Sequence, residues 1–150
     1  MAHILVVDDE PSIRALIKTI LQHEGHSIET AANGSEALEV VLKSIPELIV
    51  LDLMMPEMDG WRLLEELHVR DLRRHTRVVI VSGHIDSYRE GKSPHAQERH
   101  LLPKPFEPET LVALVDDALA RDADDLYETK DRTAHLARLI DRIDGLLGQD

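Results

Sequence analysis

Three runs of four consecutive apolar residues stand out along the chain: residues 4–7 (Ile-Leu-Val-Val), 48–51 (Leu-Ile-Val-Leu) and 78–81 (Val-Val-Ile-Val). Runs this short and this uniformly apolar predict strands covered on both faces, as in the middle of a parallel sheet. Each stops at a polar side chain, Asp8, Asp52 and Ser82 in turn. Between them the period becomes helical. Pro11 suits a first helical turn, and Ile13, Leu16, Ile17, Ile20 and Leu21 recur at helical spacing until Gly25 stops the pattern. A short alternating strand at 28–31 follows. Asn33 with Glu36 three residues on predicts a helix cap, and Leu38, Val41, Leu42 and Ile45 predict the next apolar stripe. Trp61, Leu64 and Leu67 mark a third helix, with Asp59 and Gly60 closing the preceding loop. Pro108 opens a last helix faced by Leu111, Leu114, Val115, Ala118 and Leu119.

Two stretches break the alternation. Over residues 85–100, Gly91, Pro94 and a scarcity of apolar side chains predict a short, irregular fourth helix within a loop. Leu101 and Leu102 then predict a brief edge strand. Beyond Arg121 an acidic break at 122–125 precedes a second amphipathic pattern, in which Leu136, Ile140, Ile143 and Leu147 fall at intervals of four and three. This extra C-terminal helix is expected to fold back on its own domain, to make a dimer contact or to form a stalk. Strands and helices that alternate through short links imply parallel pairing with right-handed crossovers, hence an α/β doubly wound sheet.

Composition narrows the class. With 150 residues, 43% of them apolar, the chain suffices for one well-cored domain and an appendage, divided here as 1–121 and 122–150. The absence of cysteine excludes disulfides, zinc thiolates and thiol nucleophiles. No apolar stretch approaches membrane-spanning length, and Met-Ala-His at the start does not read as a signal peptide, so a soluble cytoplasmic protein without a membrane partner is expected. A formal charge of −12 argues against direct nucleic-acid binding. The one basic cluster, Arg70, Arg73, Arg74, His75 and Arg77, is interrupted by Asp71, carries no interleaved aromatics and reads as a solvated connector.

In open α/β sheets, ligands collect at the carboxyl ends of the strands. That edge gathers Asp8, Asp9, Asp52, Ser82 and, just past the edge strand, Lys104. Crowded carboxylates resist joint ionisation unless a cation intervenes. Hard oxygen donors, with no cysteine and no motif-placed histidine, favour Mg²⁺. Beside such an ion Asp52 is suited to attack an electrophilic phosphorus, with Lys104 and the Ser82 hydroxyl stabilising the transferring oxygens.

Four motifs, Val-Val-Asp8-Asp9-Glu-Pro, Leu-Asp52-Leu-Met-Met-Pro-Glu-Met-Asp-Gly, Val-Ser82-Gly and Lys104-Pro105-Phe106, together resemble a response-regulator receiver domain of two-component signalling, of the CheY-like kind. The resemblance implies a flavodoxin-like sheet of five parallel strands in the order 2-1-3-4-5. It implies that Asp52 accepts a phosphoryl group from the phosphohistidine of a sensor histidine kinase or phosphotransfer protein. Asp9, Asp52 and the Met54 carbonyl would hold Mg²⁺ directly and Asp8 through water. Lys104, the Ser82 hydroxyl and the Gly83 backbone would meet the phosphate, with Ser82 as the switch residue and a cis bond between Lys104 and Pro105. Such a protein is no enzyme beyond its own phosphoryl transfer and dephosphorylation.

Two positions depart from that pattern: Leu101 stands where the family usually carries an aromatic residue, and residues 85–100 lack helical character. Output toward an unspecified downstream protein, or a homodimer, is therefore expected partly through the last helix and its extension, from Pro108 to Leu147, with Leu136, Ile140, Ile143 and Leu147 as contacts. The rival reading is a scaffold or dimerisation module that keeps the receiver form while the C-terminal helix does the binding. A flavodoxin-like flavin binder would need a glycine- and hydroxyl-rich loop where Asp-Asp-Glu stands, and a haloacid-dehalogenase-like phosphatase would need an aspartate at Met54. His84 reads as an exposed loop histidine.

Overall fold

The computed structural model describes residues 1–55, 58–83 and 100–123. Five strands, β1 (His3–Val7), β2 (Ser27–Ala31), β3 (Leu48–Leu51), β4 (Arg77–Ser82) and β5 (Leu101–Pro103), form one sheet in the order β2-β1-β3-β4-β5. Every pairing is parallel. The described residues form four helices, α1 (Pro11–His23), α2 (Gly34–Lys43), α3 (Gly60–Val69) and α4 (Pro108–Leu119).

The apolar runs are continuous because the sheet is covered twice. Successive side chains of a strand point to opposite faces. Leu5 and Val7 of β1, Ile49 and Leu51 of β3, and Val78 and Ile80 of β4 join Ala37 and Val41 of α2 and Leu63, Leu64 and Leu67 of α3 in one cluster. Ile4, Val6, Leu48, Val50, Val79 and Val81 point the other way, toward Ile17 and Leu21 of α1 and Leu111, Val115 and Ala118 of α4. Either cluster alone would leave one face of the central strands β1, β3 and β4 in water, so the two are thermodynamically one unit.

The helix ends follow the local chemistry. Asn33 accepts the Glu36 amide at 2.9 Å, and Asp59 accepts the Arg62 amide at 2.9 Å, each satisfying one orphan donor of a first turn. Pro11 and Pro108 sit at the starts of α1 and α4, where a missing N–H costs nothing. Gly25, at φ +92°, follows the end of α1 in the left-handed region that glycine tolerates.

Three expectations need correction. Leu16 is 46% exposed and Leu42 55% exposed, because each lies one residue, roughly 100° of helical rotation, from the buried Ile17 and Val41. Ile45 is also exposed and lies past the end of α2, in the connector. The basic segment is not simply solvated. Arg73 is buried, Arg70 pairs with Glu66 and Arg74 with Asp71, and Arg77 donates to the carbonyls of Arg121 at 2.7 Å and Glu47 at 3.3 Å. Its charges hold the connector and the end of α4 to the sheet. His100, just before β5, is buried with its Nε2 2.8 Å from Asp117 Oδ2 on α4. The hydrogen bonds from His100 and Arg121 hold the Asp117 carboxyl below its ordinary range. Residues 85–99, including the expected irregular helix, and the C-terminal stripe from Leu136 to Leu147 lie outside the described residues.

Gly60 begins α3 with its Cα against β3. A Cβ there would collide with the Asp52 carbonyl and come within 2.7 Å of the Leu53 Cα, both backbone atoms with no rotamer to yield. Gly60→Ala is therefore expected to cost about 1–3 kcal/mol, read as a lower urea midpoint at unchanged slope; an unchanged midpoint would refute the close approach.

Candidate functional site

The sheet register builds the site. Val7 pairs with both Ala31 and Leu51, so the next residues of β1 and β3, Asp8 and Asp52, emerge side by side. The ladder runs one step further. The Asp8 amide donates to the Ala31 carbonyl at 3.2 Å, and the Asp52 amide donates to the Val7 carbonyl at 3.0 Å. On the far side, Ser82 pairs with Pro103 and its carbonyl accepts the Lys104 amide at 3.0 Å, which delivers Lys104 to the same edge. The strand order reverses direction between β1 and β3, where crevices open in doubly wound sheets. The Lys104–Pro105 peptide bond is cis.

One ammonium ties the acids together. Lys104 Nζ lies 2.8 Å from Asp8 Oδ2, 3.3 Å from Asp52 Oδ2 and 3.3 Å from Glu10 Oε1. Asp8 is 1% exposed and Asp52 5%. Asp8 Oδ1 accepts the Glu10 amide at 2.9 Å, and the Arg14 guanidinium donates to the Asp8 carbonyl at 2.6 Å from the first turn of α1. Asp52 Oδ1 faces the Met54 amide at 3.4 Å. Ligand oxygens of Asp8, Asp9, Glu10 and Asp52 all fall within 4.8 Å of one another.

The electrostatics are asymmetric. Burial pushes the Asp8 carboxyl above its ordinary value; the Lys104 hydrogen bond and the Glu10 amide pull it back, and the Asp52 charge pushes it further up. Lys104 is also raised. Burial disfavours its charge, but the hydrogen bond to Asp8 and the charges of Asp52 and Asp8 outweigh that loss. One ammonium shared among three carboxylates is stabilised by all of them, whereas the deepest carboxylate is incompletely compensated. Such a set of hard, under-neutralised oxygens is the chemistry a divalent cation satisfies, and the donor set fits Mg²⁺.

Asp9, Asp52, Met54, Gly83 and Lys104 line a cleft of about 510 Å³. Ser82 is fully buried at the end of β4 and does not line it. Three contributors were not assigned from the sequence. Glu10 was visible in the acidic run, but its reach to Lys104 was not. Arg14 carried no signal, since its contact depends on the angle between α1 and β1. Leu16, expected in the core, instead forms an apolar wall of the cleft with Ile13 and Phe106. His84 lies outside the described residues.

Comparison with known proteins agrees with this arrangement. Residues 4–116 match the family model described as response regulator receiver domain. The chain is similar to the probable transcriptional regulator ycf27 of Pyropia yezoensis, 39% identical over 122 residues, covering 79% of this chain and 47% of the relative. It is similar to sporulation initiation phosphotransferase F of Bacillus subtilis, 38% identical over 106 residues, covering 69% of this chain and 82% of that one. Among solved structures, the Vibrio cholerae chemotaxis protein CheY4 superposes with a TM-score of 0.70 at 32% identity, over 79% of this chain and 98% of that chain. The chain thus spans about half the length of several curated relatives it matches.

Because the folded state raises the Asp8 value, Asp8 contributes stability when protonated and loses it as pH climbs through that raised value. Asp8→Asn is therefore expected to melt higher than the parent at pH 7 without divalent ions, with the gap closing under acid conditions, and to gain less melting temperature from added Mg²⁺ than the parent does. A variant less stable than the parent at pH 7 would contradict this account.

Proposed function

The chain belongs to the response regulator receiver domain family of two-component signalling, and from that premise we propose that it is a phosphorylation switch in which Asp52 accepts a phosphoryl group from the phosphohistidine of a sensor histidine kinase or phosphotransfer protein. The observation that carries this reading is the buried Asp52 carboxylate beside the Lys104 ammonium, at 3.3 Å, in a cleft open to a donor. In the transfer, an Asp52 oxygen bonds to phosphorus as the phosphorus–nitrogen bond of the donor breaks, and the departing imidazole takes a proton. Lys104 is then in place to exchange its carboxylate contacts for a phosphoryl oxygen. Asp9, Asp52 and the Met54 carbonyl would hold Mg²⁺, with Asp8 acting through water. When bound, the ion neutralises charge on the transferring oxygens.

The switch is a two-state element biased by one new dianionic group. The Ser82 hydroxyl, buried before phosphorylation, and the exposed Gly83 backbone next to it are the donors that can turn toward the added oxygens. Leu101 offers no ring to rotate in response. For that reason we assign output to α4 and the appendage after residue 121, where Leu136, Ile140, Ile143 and Leu147 would meet a partner protein or a second copy. Catalysis is limited to its own phosphorylation and dephosphorylation. A cytoplasmic setting accords with the lack, among the described residues, of any helix long and apolar enough to cross a membrane.

Incubation with acetyl phosphate and Mg²⁺ is expected to add one phosphoryl group by intact mass, and Asp52→Asn to abolish it. A wild type that gains no mass would favour the scaffold reading instead. Deleting residues 126–150 should leave that mass gain intact while removing any phosphorylation-dependent dimerisation or partner capture; a dependence that survives the deletion would move the output surface elsewhere.

A further inference from the structure

The loop after Asp52 is tied down at two points. Gly60 donates its amide to the Leu53 carbonyl at 2.8 Å, closing the loop on itself. The second tie comes from another element: Gly34, the first residue of α2, donates its amide to the Met58 carbonyl at 2.9 Å. The first amides of a helix have no partner within it, and α2 commits two of them before the helix is under way. Asn33 takes the Glu36 amide, and the loop takes that of Gly34.

Glycine at position 34 is not required by backbone conformation, since Gly25 is the sole glycine with a positive φ among the described residues. It is required by space. A Cβ on Gly34 would lie 2.5 Å from the Met58 carbonyl oxygen, 2.7 Å from Met58 Cγ and 3.0 Å from Met58 Cβ. The side chain of Met58 can rotate away; its carbonyl cannot without the backbone. Any side chain at 34 therefore pushes the loop off α2 by roughly half an ångström or more, since packed interiors have no slack to absorb it.

We propose that Gly34 is a positioning residue for the metal-binding loop: by letting α2 approach Met58 at backbone contact, it sets where the Met54 carbonyl, four residues earlier, stands relative to Asp52 and Asp9. The proposal rests on the magnesium reading given above. The described residues of the loop are packed at both of its ends. Leu53 is fully buried, Met55 is nearly so, and Met58 packs on the same cluster as Ala37 and Val41 of α2. Mg²⁺ demands near-ideal octahedral geometry at about 2.0–2.1 Å, whereas Ca²⁺ accepts six to eight oxygens at longer and more variable distances. A displaced carbonyl should thus penalise the smaller ion more. That differential separates positioning from mere destabilisation.

The test uses the full 150-residue chain, titrated separately with MgCl₂ and CaCl₂. The readouts are fluorescence of Trp61, the single tryptophan, and the shift in melting temperature. Gly34→Ala is expected to weaken Mg²⁺ binding by about tenfold and Ca²⁺ binding by clearly less. Val41→Ala, a core truncation two turns along the same helix, is expected to lower stability and leave both affinities at the parent value. Should Gly34→Ala not fold, the comparison is made in a Met58→Ala background, where the Cγ contact is gone and only the Met58 carbonyl and Cβ remain in the way. Parent-like Mg²⁺ affinity in folded Gly34→Ala, equal losses for the two ions, or the same losses in Val41→Ala would each overturn the proposal. A parent that responds to neither ion would instead remove the magnesium reading, and the proposal with it.

Discussion

Two aspartates on adjacent parallel strands, buried and pointing to one edge, form the constraint around which the molecule is arranged. Neither can leave, because each belongs to a ladder whose register is enforced by a two-faced apolar core. Slipping either strand by one residue would exchange the side chains of two differently packed clusters and draw a flanking polar residue into the core. The core therefore supplies the force that holds like charges together. Lys104 alone does not repay the cost, as the raised Asp8 value shows. A fold that gives up stability to hold an acidic pocket presents concentrated negative charge to an incoming cation.

The neighbours of that pocket divide into those that carry charge and those that set distance. Arg14 and Lys104 act through charge, one on the Asp8 carbonyl and the other on three carboxylates. Gly34 and Gly60 act through absence, allowing α2 and α3 to press against the chain after β3. Contacts of the second kind are rigid, since they oppose backbone to backbone. The loop that follows Asp52 is accordingly braced by two helices on the same face of the sheet, while the acids of β1 are braced from the opposite face by α1.

The cleft also has an apolar side. Ile13, Leu16 and Phe106 stand beside the acids, and Leu16 is about half exposed in a helix whose remaining large residues are mostly covered.

The residues of the chain determined the strands, the face each helix buries in broad outline, and the set of chemical groups at the carboxyl edge. Uniform apolar runs have one stable use in a chain of this length, and the polar residue that ends each run must emerge where the strand stops. Asp8, Asp52 and Lys104 were legible for that reason. The exposure of Leu16 and Leu42, the burial of Arg73, the pairing of His100 with Asp117 and the contacts of Arg14, Glu10 and Gly34 were decided by tertiary structure alone. Each depends on the rotation of a helix about its axis or on the approach of segments distant in sequence. A helical period specifies an apolar stripe only to within one residue, and it says nothing of which backbone will lie against it.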